Sequence, residues 1–212
     1  MRIYAVADIH GRSDKIALIQ SNTLQLNPDV LVVAGDITNY TGSKGILAQL
    51  DDIPVPVLAV RGNTDLSRVE NLLKNFPNIS PLHLKQVTIG STPFVGISGC
   101  IPIPFSSRIC LNEMQVIEKL NSLIKSNSVL VAHPPPWGTL DEVLGRFHAG
   151  CRSLAKVIKM CRPMLMICGH IHERPGWVFS GKTLVVNCTL GRNHAGAMIE
   201  LDNKNNLKVE ML

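Results

Sequence analysis

Five short aliphatic runs punctuate this chain, and each stops abruptly with a residue able to bind a ligand at or just past its end. The runs are Ile3 to Ala7, Val30 to Ala34, Val55 to Val60, Val129 to Ala132 and Met164 to Cys168. An unbroken apolar run of about four to eight residues suits a strand buried on both faces, and a buried helix segment shares that pattern. The flanks decide for strands, because Gly, Asp, Asn or His ends each run. Helical patterns lie between them. Ser13 is expected to cap a helix whose Ile16, Ile19 and Leu26 share a face. Asn112 is expected to cap a second with Ile117, Leu120 and Ile124, and a third carries Leu154, Ile158 and Cys161. The last third changes character. Gly176 to Phe179, Lys182 to Val186, Ala195 to Leu201 and Leu207 to Met211 read as strands, with turns at Ser180-Gly181 and Asp202 to Asn206. The stretch from Pro81 to Ser107 reads as short strands plus a surface loop. Strand–helix alternation followed by a strand-rich end predicts a layered α/β domain with mixed sheets. The 212 residues fit a single domain, 1–212.

Composition narrows the function classes. Hydrophobic residues at 45% and charged residues at 17% exclude a disordered tail protein. Aromatics at 4% imply an aliphatic core and supply few platforms for stacking single-stranded bases. The net charge of +5 is modest and spread along the chain, which fits ordinary surface lysines, so no nucleic-acid partner is expected. The apolar start is cut off by Asp8 and His10, too early for a secretory segment. No run approaches the roughly 20 apolar residues of a membrane span. A soluble, cytoplasmic protein without a membrane partner is expected. Cys100, Cys110, Cys151, Cys161, Cys168 and Cys188 form no C-x-x-C pair and read as reduced, mostly buried small hydrophobes.

The chemistry lies in the residues just past each run: Asp8-Ile9-His10, Gly35-Asp36, Gly62-Asn63, His133 and Gly169-His170-Ile171-His172. Open α/β sheets place their sites at the carboxyl ends of strands. Glycine ahead of Asp36, Asn63 and His170 lets the backbone turn sharply there. Each element alone is weak: D-x-H arises by chance, Asp8 could cap a helix, and His133 could be a packed loop histidine. Together they are specific. Four of the seven histidines sit at run ends beside carboxylates, with no thiolate among them. The seven donors are too many for one ion and suit two, and oxygen and nitrogen ligands favour Mn, Fe, Zn or Co.

The order D-x-H, G-D, G-N, H, G-H-x-H, spanning Asp8 to His172, resembles the calcineurin-like metallophosphoesterases. Pro135-Pro136-Trp137-Gly138, His148-Ala149-Gly150 and Cys168 to Glu173 look like the small, uncapped bacterial and archaeal members. The resemblance implies a four-layer αββα sandwich of two mixed β-sheets flanked by helices, with a two-metal site on one edge. Asp8, His10 and His172 would hold one divalent ion, and Asn63, His133 and His170 the other. Asp36 would bridge them, and Mn2+ is the first expectation. Two cations about 3.5–4 Å apart need a shared anionic ligand, which agrees with that division. A metal-bridging hydroxide would then hydrolyse a small phosphodiester or phosphomonoester. The chain has no G-x-S-x-G elbow and no Cys-based phosphatase loop to supply a nucleophile of its own.

One departure stands out. Many relatives read G-N-H, whereas this chain reads Gly62-Asn63-Thr64-Asp65. Thr64 cannot donate a proton near neutrality, and His148, in a Gly-flanked loop, is the best substitute, ahead of His194 and His83. The expected catalytic set is therefore Asp36, Asn63, His133 and His148. Asp65 is expected to cap the helix beginning near Leu66. Arg12, Arg61, Arg174 and Arg192 lie near the motifs; Arg12 and Arg192 are the preferred phosphate clamps and the others read as ion pairs. Glu173 could orient a ligand, Trp137 and Phe147 could wall the pocket, and Cys168 should be buried and inert. Two other functions compete. A non-catalytic scaffold of the same fold loses ligand positions, and all seven are kept here. A nuclease would want a dense basic run, which is missing.

Overall fold

The structure is a computed structural model describing residues 1–40, 43–202 and 206–212. Its first half contains β1 (Arg2–Val6), α1 (Ser13–Leu26), β2 (Val30–Ala34), α2 (Ser43–Asp51), β3 (Val57–Val60), α3 (Ser67–Leu73), β4 (Ile79–Pro81), β5 (Gln86–Ile89) and β6 (Thr92–Ile97). Next come β7 (Ile101–Ile103), β8 (Ser106–Arg108), α4 (Glu113–Leu123), β9 (Val129–Ala132), β10 (Glu142–Val143), β11 (Phe147–His148) and α5 (Arg152–Cys161). The chain ends with β12 (Leu165–Cys168), β13 (Gly176–Ser180), β14 (Thr183–Asn187), β15 (Ala197–Leu201) and β16 (Leu207–Met211).

Two six-stranded mixed sheets form the centre. One has the order β16-β15-β1-β2-β3-β4, the other β13-β14-β12-β9-β6-β5. The alternation of side chains along each strand builds the layers. Ile3, Ala5 and Ala7 join Val30, Val32, Phe94, Val131 and Ile167 in the core between the sheets. Tyr4 and Val6 turn the other way, against Ile16 and Ile19 of α1 and Leu47 of α2. Val95 and Leu130 of the second sheet turn outward onto Leu120 of α4 and Leu154 of α5. The result is the expected αββα order of layers, with the apolar residues of β1, β2, β3, β9 and β12 buried. Among the described residues, no helix is long and apolar enough to cross a membrane.

Some local expectations change. Ser13 opens α1 as its first residue, Arg12 is the cap residue, and no side chain caps that end. Asn112 occupies the cap position of α4 but makes no side-chain cap bond. Asp65 does not cap α3, whose cap residue is Leu66; its carboxylate is engaged by the loop after β2 instead. The third run yields strand only from Val57, consistent with Pro54 and Pro56 lacking N–H donors. Within the segment read as short strands and loop, β6 is wholly buried. Its Pro93 lies ahead of the ladder to β9, which starts at Phe94, so the missing N–H interrupts nothing there. The turn expected from Asp202 to Asn206 has its tip, residues 203–205, outside the described residues.

Candidate metal centre

The parallel strands of both sheets deliver their carboxyl ends to one edge. Ala7 laces the sheets together there: its N–H donates to the Cys188 carbonyl at 3.1 Å and its carbonyl accepts from Leu190 N–H at 3.0 Å. β1 leads into Asp8 and His10, β2 into Asp36 and β3 into Asn63. From the second sheet, β9 leads into His133, and β12 into His170 and His172. The approach is tight. A Cβ added at Gly62 would collide with the Asp36 carboxylate, and one at Gly169 with that of Asp8, so these two positions admit only glycine without a shift.

Two overlapping triads result. Ligand atoms of Asp8, His10 and His172 lie within 4.8 Å of one another, as do those of Asp8, Asp36 and His133. His172 Nε2 stands 3.1 Å from Asp8 Oδ1. Asp36 offers one oxygen to each half, Oδ2 at 3.8 Å from His10 Nδ1 and Oδ1 at 3.5 Å from His133 Nε2. Asn63 Oδ1 is 3.0 Å from His133 Nε2. His133 Nδ1–H donates to the Ala34 carbonyl at 2.9 Å, which turns Nε2 toward the cluster. His170 is placed differently from the rest. Its backbone N–H donates to Asp8 at 3.0 Å, while its Nε2 faces Ser107 Oγ at 3.4 Å and its ring lies 5.0 Å from that of His133. It borders the triads without entering either.

The electrostatics follow from burial. Asp8 and Asp36 are almost fully buried, at 0% and 2% exposure. Burial alone pushes both carboxyls up, yet imidazole charge and hydrogen bonds hold them below the usual carboxylate range. His172 and His133 act on Asp8, and His133 acts on Asp36. Burial would lower His133, but Asp36 and then Asp8 outweigh it and raise it to about 9. Burial, followed by the charge of His133, lowers His170 to about 4. Burial likewise lowers His10, whereas the hydrogen bond to Asp8 raises His172. Among the described residues, no Lys or Arg comes within ion-pair distance of either buried carboxylate. Two buried anions grouped with imidazoles and the Asn63 amide form a donor set that fits divalent cations.

Further residues hold this cluster in roles that the sequence did not show. Thr189 Oγ1–H donates to Asp8 Oδ2 at 2.9 Å, and the Lys15 ammonium donates to the carbonyls of Asp8 and Leu190. Asp65 accepts backbone N–H bonds from Ile37, Thr38 and Gly62 and the Thr38 hydroxyl, tying the loop after β2 to the loop after β3. Thr64 N–H donates to Asp36 Oδ1 at 2.8 Å, and its hydroxyl donates to the Thr38 carbonyl at 2.7 Å. None of these roles has a sequence signature, because each depends on a loop arriving from elsewhere.

The remaining candidates scatter. Arg12 pairs with Asp14 at the surface, Arg61 with Glu70, and Arg174 with Glu142, so these three guanidinium groups are engaged by carboxylates. Arg192, Glu173 and His194 are exposed. His83 Nδ1 accepts the Ser98 N–H. Phe147 packs on Phe105 with ring centroids 4.7 Å apart, and Trp137 packs beside His148 at 4.9 Å. His148 bonds to Asp141, outside the triads. Cys168 is buried with its thiol pushed up by burial, and all six cysteines are free.

Residues 1–174 match the calcineurin-like phosphoesterase family. An uncharacterized protein of Methanocaldococcus jannaschii is 33% identical over 199 residues, covering 88% of this chain and 87% of that protein. Among solved structures, a dimetal phosphatase from Danio rerio superposes with a TM-score of 0.72 at 13% identity, covering 100% of this chain and 95% of its own. A structure described as a novel archaeal phosphodiesterase gives 0.59 at 14% identity, with both chains fully covered. At such identities these two likenesses speak for the fold. The family match over most of the length and the related archaeal sequence go further: the chain belongs to the calcineurin-like phosphoesterase family.

Proposed function

We propose that the protein is a dinuclear metal-dependent phosphoesterase that hydrolyses a small phosphodiester or phosphomonoester. The observation that carries this reading is the pair of buried carboxylates, Asp8 and Asp36, set among imidazoles with no Lys or Arg of the described residues within ion-pair distance. Asp8, His10 and His172 would hold one ion, and Asn63, His133 and His170 the other, with Asp36 shared because its two oxygens face opposite halves. Divalent cations held there would supply Lewis-acid polarisation of the phosphoryl oxygens and activation of the attacking water. The chain's own contribution is orientation. Thr189 and the His170 N–H fix Asp8, the Thr64 N–H fixes Asp36, and the Ala34 carbonyl fixes the His133 ring. The mixed oxygen and nitrogen, thiolate-free set suits Mn2+, the first expectation, with Fe, Zn or Co as alternatives. Six unpaired cysteines suit a reducing compartment, and the proposal places the reaction in the cytoplasm.

The test is elemental analysis of the purified protein, followed by a panel of phosphomonoesters and phosphodiesters assayed with Mn, Zn, Fe, Co and Mg added separately. Two equivalents of metal and turnover of a small ester are expected. A protein that takes up no metal, or cleaves no ester with any of the five ions, overturns the reading.

A further inference from the structure

A leaving alkoxide needs a proton, and Thr64, the residue after Asn63, has a hydroxyl that does not ionise near neutrality. Its hydroxyl is already engaged, donating to the Thr38 carbonyl at 2.7 Å. Three imidazoles lie outside the proposed ligand set: His83, His148 and His194. His83 accepts the Ser98 N–H through Nδ1, and His194 lies exposed in a turn closed by Gly191 N–H to its own carbonyl. His148 differs from both. Its Nδ1–H donates to Asp141 Oδ1 at 2.7 Å, and Asp141 is 1% exposed.

The dyad is rigid. Asp141 Oδ2 accepts the N–H groups of Gly138 at 2.9 Å and Gly150 at 3.0 Å, so the carboxylate cannot turn away. Trp137 packs beside the imidazole, and Arg152 lies over the Trp137 ring at 4.3 Å. The location also fits. Ser107 Oγ–H donates to the Ala149 carbonyl at 2.7 Å and stands 3.4 Å from His170 Nε2, hitching β11 to the metal-site histidine through one hydroxyl. His148 and Asp141 line a cleft of about 550 Å³ whose other wall includes Arg174, two residues beyond His172. The His148 imidazole is 38% exposed, so it is open to a ligand, while Asp141 anchors the turn through two backbone bonds.

We propose that His148, positioned by Asp141, donates the proton to the departing oxygen of the ester; this rests on the phosphoesterase reading. As the bond from phosphorus to the leaving oxygen breaks, its electron pair goes to that oxygen, which takes the proton from His148 Nε2 and departs as the alcohol. The attacking water leaves its oxygen on phosphorus and releases a proton to solvent, and the neutral imidazole recovers one from solvent. His148 is the catalytic residue of the pair and Asp141 the positioning residue.

The experiment compares kcat/KM for p-nitrophenyl and ethyl esters of phosphate and of methyl phosphate in wild type, His148→Gln, Asp141→Asn and the double variant, with metal content measured in each. General acid assistance is worth roughly 10²–10⁴-fold. His148→Gln should lose about 10²-fold or more on the ethyl esters and less than about 3-fold on the nitrophenyl esters, whose leaving group needs little protonation. Metal content should not change. Asp141→Asn should shift the ratio between the two leaving groups in the same direction, and the double variant should be no worse on ethyl esters than His148→Gln alone. Asp141 also anchors backbone, so the deciding variant is His148→Gln, whose side chain is partly exposed. Equal losses on both leaving groups, an unaffected ethyl ester, metal loss in His148→Gln, or a wild type inert towards ethyl esters while it cleaves nitrophenyl esters overturns the dyad alone. A wild type that cleaves none of the esters overturns the phosphoesterase reading with it.

Discussion

Asp36 occupies a demanding electrostatic position. It is 2% exposed, faces an imidazole with each oxygen, and is fixed by the Thr64 N–H. Asp36→Asn removes the one charge proposed to be shared between two cations, so activity should vanish and bound metal should fall by at least one equivalent. Elemental analysis alongside an ester assay reads both, and full occupancy with near-normal turnover would refute the shared ligand. His170→Ala and His172→Ala should each lower activity about 10²-fold or more, comparable to losing a principal transition-state contact. Because His172 lies in a triad and His170 borders one, metal affinity measured by competition with a chelator should drop in both variants. Normal affinity in either would remove that histidine from the ligand set. The identities of these residues were legible because each lies within four residues of the end of an aliphatic run. Their backbone state was not. Asp8, His10, Asp36 and His170 have φ of 63°, 55°, 51° and 72°, a left-handed conformation that costs a non-glycine residue roughly 1–2 kcal/mol. Asp141 was also missed, since its partner arrives through a hairpin with no periodic signal.

At the level of elements, Asp65 shows how a local reading fails. A carboxylate just before a helix invites the reading of a cap, yet it joins the turns after β2 and β3, which carry Asp36 and Asn63. Asp65→Ala leaves three backbone N–H groups without their acceptor, at about 1–3 kcal/mol for each group left buried and unpaired. The denaturant midpoint should fall by the equivalent of about 3 kcal/mol or more. A loss below about 1 kcal/mol would mean that water or a neighbour replaces the carboxylate. Strands buried on both faces were readable from continuous hydrophobicity, as in Val30–Ala34. β6 hid behind Pro93 and Gly96, which break its run, although its register with β9 from Phe94 to Ile97 is regular. α2 was not anticipated at all: Ser43–Asp51 includes Gly45 and has no acidic first turn to mark its start. Helix ends were placed near the right residues for the wrong reason, because no side chain of Ser13 or Asn112 forms the expected cap.

For the whole molecule, the proposed donors divide between the sheets. Asp8, His10, Asp36 and Asn63 follow strands of the first, and His133, His170 and His172 follow strands of the second. Bound cations should therefore stabilise the docked pair of sheets by mass action, worth about 2.7 kcal/mol at a hundredfold excess over Kd. For a chain of this size each kcal/mol moves Tm by about 2–4 °C, so chelation should lower Tm by roughly 5–10 °C in a thermal scan. An unchanged Tm after verified metal removal would contradict donors held jointly by both layers. The layered α/β order was legible from strand–helix alternation, but which sheet each strand joins depends on pairings across long stretches of chain. The lacing of β1 to the second sheet at Ala7 has a kinetic corollary. Asp8 and His172 meet across 164 positions of chain, so the donor set closes only when contacts far apart in sequence have formed. Interactions absent from the transition state change the unfolding rate and leave the folding rate alone. In stopped-flow experiments, a saturating divalent cation should slow unfolding in proportion to the stability it adds, while refolding proceeds at the same rate with or without it.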